Sequence, residues 1–256
     1  KHSVLPHKII FHLNEGNDGT REWLDKMRIA YTLSSENIGI CKAMNQSATL
    51  AASDYLLFLN DDMYVLPGWD KALMDAALQY PDHRFYLSGT LIEPLSSGNR
   101  CAIAPFDFGR TPDALQEEEL LNTYSSISWH DWYGATWPPS LVHRIYWNKV
   151  GGYSEAFSPG LYSDPDFSMK LWRIGIRVFR GVGASRVYHF MSRTTARIPM
   201  NNGHRQFVKK WQMTARYFTQ HILKMGKRFE GKPLQGHDEC KASFWHRLRL
   251  RLPLTM

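Results

Sequence analysis

The chain has 256 residues, 43% hydrophobic and 21% charged, which is enough for one sizeable core and excludes a disordered composition. No run approaches 18 uninterrupted apolar residues, so no membrane-spanning helix is expected, and residues 1–8 lack the apolar run of a signal peptide. The net charge of +7 is concentrated: residues 201–256 hold twelve Lys/Arg against three Asp/Glu, leaving −2 for residues 1–200.

In chain order, residues 9–13 are a short apolar strand closed by the turn-rich cluster Asn14-Glu15-Gly16-Asn17-Asp18-Gly19. Thr20 stands where it would cap a helix, with Trp23 and Met27 on one face. Residues 29–32 predict a second strand and 39–52 an Ala-rich helix. Residues 55–59 are a third, buried strand. After Pro67-Gly68 comes an amphipathic helix over 69–79, then a strand over 84–91. Residues 94–133 lose this periodicity apart from one helix near 112–122, and a stretch of that length suggests a lid or binding loop. Beyond it, the pattern predicts a strand at 141–143, a short helix ending at Gly151-Gly152, and a helix over 167–174. Two further strands follow at 178–180 and 186–189, then a long basic helix over 202–225. Strands alternating with helices predict a mostly parallel, doubly wound α/β sheet.

The strongest chemical signal is the end of the third strand, Tyr55-Leu56-Leu57-Phe58-Leu59-Asn60-Asp61-Asp62. Adjacent acids there repel and cost desolvation, and the carboxyl end of such a strand is where ligands collect. Oxygen ligands suit a hard divalent cation carrying substrate phosphates; the competing reading is a solvated turn. Three scattered cysteines, Cys41, Cys101 and Cys240, form no metal or disulfide spacing and favour a reducing compartment. Near the C-terminus, residues 244–252 interleave cations with Phe, Trp and Leu, the composition of an interfacial membrane contact or of a solvated terminus. No nucleic-acid recognition motif accompanies the basic tail, so a nucleic-acid partner is not expected.

Seven segments in order resemble family 2 glycosyltransferases of the GT-A fold. Asn14 to Trp23 resembles that family's Asn-Gly-Ser-x-Asp-Gly-Thr turn, and Asn37-Ile38-Gly39 with Ala43 and Asn45 its Asn-x-Gly-x-x-x-Ala-x-Asn segment. Asn60-Asp61-Asp62 sits at the DxD-type motif. Gly151-Gly152-Tyr153-Ser154-Glu155-Ala156-Phe157 is similar to Gly-Gly-Phe-x-Glu-x-Phe, and Ser163-Asp164-Pro165-Asp166-Phe167 to Glu-Asp-x-Asp-Leu. His189 matches the His after the last core strand, and Phe207 to Trp211 the Phe-x-x-Lys-Trp of the closing helix.

The resemblance implies a GT-A-like domain over residues 1–200 followed by a basic helical extension over 201–256. It implies metal-dependent, inverting transfer of a hexosyl unit from a nucleotide-diphosphate sugar, with a UDP-sugar favoured over dTDP or GDP donors. Asp62, Asn60 and His189 are the expected ligands of Mn2+ or Mg2+; Asn14, Asp18, Asn37 and Asp61 are the expected nucleotide contacts. Asp164 is the expected base, with Asp166 capping the helix behind it; alternatively both acids serve only the helix N-terminus. The implied acceptor is a saccharide or lipid-linked saccharide of polysaccharide biosynthesis, reached from the cytoplasmic side, with the cationic tail against an anionic membrane. Trp129, Trp132, Tyr133 and Trp137 read either as sugar-stacking rings or as core, and His130 and Asp131 as contacts to acceptor hydroxyls. Three departures stand out: the family's opening strand and helix have no counterpart in residues 1–256, Leu13 replaces a base-reading Asp, and Ser163 replaces a Glu. They leave open a non-catalytic nucleotide- or glycan-binding protein on a degenerate GT-A fold.

Overall fold

A computed structural model describes residues 1–191 and 201–238. Two sheets make up the frame. Strand β1 (Ile10–Asn14) runs parallel to β2 (Ala30–Ser34), with α1 (Thr20–Met27) between them in sequence. The second sheet has seven strands: β3 (Tyr55–Phe58), β4 (Met63–Val65), β5 (Phe85–Ile92), β6 (Ala102–Ile103), β7 (Trp132–Tyr133), β8 (Ser140–His143) and β9 (Val178–His189). Its path is β3-β8-β5-β9-β4, with β6 beside β5 and β7 beside β9. Helices α2 (Gly39–Thr49), α3 (Trp69–Ala77), α4 (Glu117–Thr123), α5 (Arg144–Val150), α6 (Ser163–Arg173) and α7 (Gly203–Trp211) surround it.

The α/β class holds, but the large sheet is mixed rather than mostly parallel. Strand β8 runs antiparallel to both β3 and β5, and β4 and β7 run antiparallel to β9. Strands β3 and β5 therefore point the same way, and β9 is parallel to β5, so all three end on one edge of the sheet. Strand β5 is buried along all eight residues, as expected of a strand covered on both faces. Its side chains alternate with period two. Phe85, Leu87 and Leu91 pack with Leu73 and Ala77 of α3, whereas Tyr86 packs with Phe167, Trp172 and Phe179 on the other face.

Several expectations change. The strands read at 178–180 and 186–189 are one, β9, because a register shift opposite Gly89/Thr90 absorbs residues 183–185 without ending the pairing. On α1 the buried residue is Leu24, while Trp23 and Met27 are about half exposed; Gly19, not Thr20, precedes the helix. The long helix expected over 202–225 breaks at Gln212, where φ is +54°, and Thr214 caps a fresh turn by accepting from Tyr217 N–H. The chain then returns across β7: Tyr133 N–H donates to Lys227 C=O, Gly226 N–H to Tyr133 C=O, and Phe229 N–H to Asp131 C=O. Phe207, Phe218, Leu223 and Leu234 from this stretch are buried in the same cluster as Tyr86 and Phe167. Among the described residues, no helix is long and apolar enough to cross a membrane. The interfacial reading of residues 244–252 lies outside the described residues, as does Cys240; Cys41 and Cys101 are free and buried.

Candidate active site

The shared edge of β3, β5 and β9 gathers the acids and the histidine. Asn60, Asp61 and Asp62 form the turn from β3 into β4, and His189, the last residue of β9, lies opposite Met63 in the ladder. This brings His189 Nε2 to 3.2 Å from Asp62 Oδ2. On the other side of the ring, Nδ1 lies 2.9 Å from Oε1 of Glu93, which follows β5 and is 3% exposed. Burial by itself would lower the His189 pKa, but the hydrogen bonds to Asp62 and Glu93 outweigh it and raise it to about 9. Asp62 and His189 are thus joined, Asn60 is half-buried two residues before Asp62, and Asp61 is exposed.

One carboxylate oxygen and one imidazole nitrogen converging on the same space, with a second carboxylate on the far ring nitrogen, is a donor set that fits a divalent cation. No group of three or more His, Cys, Asp or Glu able to hold a metal occurs among the described residues. The fit is therefore to an ion that takes its remaining ligands from water and substrate oxygens. Glu93 was not singled out from sequence. Its signal was available, a lone carboxylate ending a buried strand, the same logic that marked Asp62.

Asp164 lies in the first turn of α6, which starts four residues earlier than its apolar pattern suggests. Phe58 at the end of β3 meets the Tyr153 ring edge-on at 6.3 Å, and the Tyr153 hydroxyl donates to Asp164 Oδ1 at 3.2 Å. These contacts link Asp164 to the strand end that carries Asn60 to Asp62. Burial pushes the Asp164 carboxyl up to about 7, against the smaller downward pull of the Tyr153 hydrogen bond. Asp166 does not cap the helix. It is fully buried and accepts from Ser154 Oγ (2.6 Å), Trp211 Nε1 (2.7 Å) and Lys210 Nζ (2.8 Å), so it anchors α7 to α6. Ser163 donates to Gly160 C=O at 2.6 Å and ties down the loop ahead of the helix.

The candidate nucleotide contacts fall on the loops after β1 and β2. Asn14 Oδ1 accepts from Ile38 N–H at 3.0 Å, and Asn37 Oδ1 from Gly39 N–H at 3.0 Å, so these two loops are joined. Gly39 (φ +72°) presses on Pro159, and Ile40 N–H donates to Pro159 C=O at 2.9 Å, which brings the start of α2 against the loop preceding Asp164. A Cβ at Gly39 would lie 2.6 Å from Pro159 Cα, so only glycine permits this approach. Asp18 stands apart, exposed, its Oδ1 accepting from Thr20 N–H at 3.0 Å; that bond lowers its pKa. Leu13 is buried and packs inward.

The aromatic run after residue 128 belongs largely to the core. Trp132 is 1% exposed, lies flat on Gly181 and donates from Nε1 to Thr90 Oγ1. The Tyr133 hydroxyl donates to Lys232 C=O. Asp131 is held by Arg180 Nε (2.7 Å) and Gly183 N–H (2.8 Å), so it locks β9 rather than facing a ligand. Trp129 and Trp137 are half-buried, and His130 stacks on Trp129 at 5.3 Å.

The architecture is the GT-A-like α/β fold. Residues 3–93 match the family model described as glycosyl transferase family 2, in line with the resemblance carried by the three motif segments that lie within them. Among solved structures, the chain is similar to one described as GalNAc-T7 with UDP, GalNAc and Mn2+, at a TM-score of 0.54 and 14% identity, over 80% of this chain and 42% of that one. It is also similar to mannosyltransferase PcManGT from Pyrobaculum calidifontis in complex with GDP-Man and Mn2+, at a TM-score of 0.43 and 15% identity, over 80% of this chain and 52% of that one. The chain thus spans about half the length of these structures, or less. No curated protein matches.

Proposed function

We propose that this chain transfers a sugar from a nucleotide-diphosphate donor to a saccharide or lipid-linked saccharide hydroxyl, with inversion at the anomeric carbon. The observation that carries the reading is the buried Asp164 carboxyl, raised to about 7 and linked through Tyr153 and Phe58 to the strand that leads to Asp62. A base of that pKa is matched to abstracting a hydroxyl proton near neutrality. In the step, the acceptor oxygen forms its bond to the anomeric carbon as its proton passes to Asp164. The bond from that carbon to the donor phosphate breaks, and its electron pair leaves on the diphosphate. Asp62 and His189 are the residues that would hold a divalent cation, whose chemistry when bound is neutralisation of phosphate charge; their mixed nitrogen and oxygen donors favour Mn2+ over Mg2+. Asn14, Asn37 and Asp61 are assigned to the nucleotide, with Asp18 shaping the β1–α1 loop. A UDP-sugar is the preferred donor class, and the cations of residues 244–252 are assigned to an anionic membrane surface.

The buried Leu13 and the Ser163 that replaces a Glu favour a second reading, a nucleotide- or glycan-binding protein without turnover. Thermal unfolding with UDP, GDP and dTDP, each with and without Mn2+, tests the donor site. A nucleotide at about 100 times its Kd adds roughly 2.7 kcal/mol, or roughly 5–10 °C in Tm. A metal-dependent shift with one nucleotide, together with loss of transfer in Asp164→Asn, is expected. A shift without transfer selects the second reading in its nucleotide-binding form, and no shift with any nucleotide removes the transferase and leaves only glycan binding.

A further inference from the structure

We propose that Tyr153 is a positioning residue for Asp164, its hydroxyl holding Oδ1 so that Oδ2 is the oxygen presented to the acceptor. The inference rests on Asp164 being the base proposed above. Its geometric basis is how little freedom Tyr153 has. The ring is 3% exposed, stacked on Phe167 with centroids 4.8 Å apart and planes 19° apart, and edge-on to Trp147 at 5.7 Å. Its backbone is bracketed by one side-chain amide: Asn45 Oδ1 accepts from Tyr153 N–H and Asn45 Nδ2 donates to Tyr153 C=O, both at 2.9 Å. Gly152 makes that bracket possible, since its φ is +61° and a Cβ there would stand 2.3 Å from Asn45 Oδ1. Helix α2, through Asn45, thus helps to set the position of the hydroxyl.

A phenylalanine would fill the same apolar space, so packing does not account for the hydroxyl. A buried phenol needs a partner: the Tyr153 hydroxyl donates to Asp164 Oδ1 and also meets the hydroxyl of Tyr86. Among the described residues, no other hydrogen-bond donor reaches this carboxylate. The other titratable groups around it are Tyr86 from β5, Cys41 from α2 and Asp166 two residues on. Burial raises Tyr86, Tyr153 and Cys41 (the last to about 11), so all three are neutral near pH 7, and Asp166 is bound to Lys210. One group is left to titrate near neutrality, and one hydroxyl is in place to orient it.

The experiment is Tyr153→Phe in the full chain, which keeps the stacked ring and removes only the oxygen. The Asp164 carboxyl carbon is titrated by NMR, its signal assigned by its loss in Asp164→Asn. Losing a hydrogen bond to the charged form should raise the midpoint by about one pH unit. Transfer at pH 7 should then fall about five-fold and recover partly at higher pH, as the ionised fraction drops from about half to about a tenth. Nucleotide affinity in the presence of Mn2+ should not change. An unmoved midpoint overturns the proposal whether or not the chain transfers sugar. A fall in nucleotide affinity matching the fall in transfer also overturns it, since that marks a structural role. Absence of transfer by the wild type with every donor would defeat the functional reading instead, while a moved midpoint would still tie Tyr153 to Asp164.

Discussion

Replacing Asp164 by Asn should stabilise the protein, and only above a definable pH. A carboxyl whose folded pKa is raised from 3.8 to about 7 favours folding in its protonated form. Below pH 3.8 both states are protonated and burial of the group carries no ionisation cost. As pH rises through that value the unfolded chain ionises freely while the folded chain does not, and the penalty grows until the folded group ionises near 7. At roughly 1.4 kcal/mol for each tenfold change in proton affinity, the full penalty is about 4 kcal/mol. Asp164 as a whole residue is half-buried, and the screening this allows reduces the penalty to about 2–3 kcal/mol. Asparagine has nearly the same shape, is neutral, and still accepts from the Tyr153 hydroxyl through its carbonyl. The Tm of Asp164→Asn should therefore exceed wild type by roughly 5–10 °C at pH 8, and the difference should shrink towards zero at pH 4. Urea unfolding of both proteins at four pH values between 4 and 8 measures it directly. An equal or lower stability of the variant at pH 8, or a gain independent of pH, would refute the argument that Asp164 is held in a costly ionisation state. The same variant should show no transfer, so stability and activity would move in opposite directions at one residue.

Glu93→Gln should weaken Mn2+ binding roughly ten-fold, because the amide no longer fixes His189 Nδ1 as the carboxylate does; titration of free Mn2+ by electron paramagnetic resonance would read this, and an unchanged affinity would contradict it. Asp166→Ala should cost about 3 kcal/mol, since it strips Trp211 Nε1, Ser154 and Lys210 of their shared acceptor. A urea midpoint within experimental error of wild type would show that α7 is held by its apolar face alone. Gly181→Ala places a methyl 1.8 Å from the Trp132 ring and should lower stability by about 3 kcal/mol or more. A variant of wild-type Tm would mean that Trp132 has room to move.

The features legible in sequence were local ones. The alternation of short apolar runs and amphipathic segments marks the α/β class, and an acid run ending an apolar strand marks Asp62, although β3 is half-buried along its length and not buried as its composition suggests. What escaped depends on non-local partners. Strand β4 is three residues long and exists because β9 pairs with it. The direction of β8 is set by its two neighbours, and a four-residue apolar run carries no mark of it. Glu93 and Tyr153 gain their roles from His189 and Asp164, 96 and 11 residues away in sequence. Asp166 resembled a cap because acids cluster at helix starts, and only Trp211 and Lys210, far along the chain, reveal it as an anchor. On α1 the i, i+4 pair Trp23 and Met27 marks one apolar face, but Leu24 is the residue that meets a neighbour, which spacing within an eight-residue helix does not reveal.

The three residues that β9 gains on β5, 183–185, look like a place where chain length should be free to vary. They are not. Side chains alternate along a strand, so deleting one residue there, with the first half of β9 held by Trp132 and Asp131, would carry Phe190 into the position of His189 and slide the whole terminal segment one step. A benzene ring would then stand between Asp62 and Glu93. Within β9 the length of the bulge acts as a spacer for the chemistry, and insertions or deletions should be less tolerated at 183–185 than substitutions at the exposed Ala184.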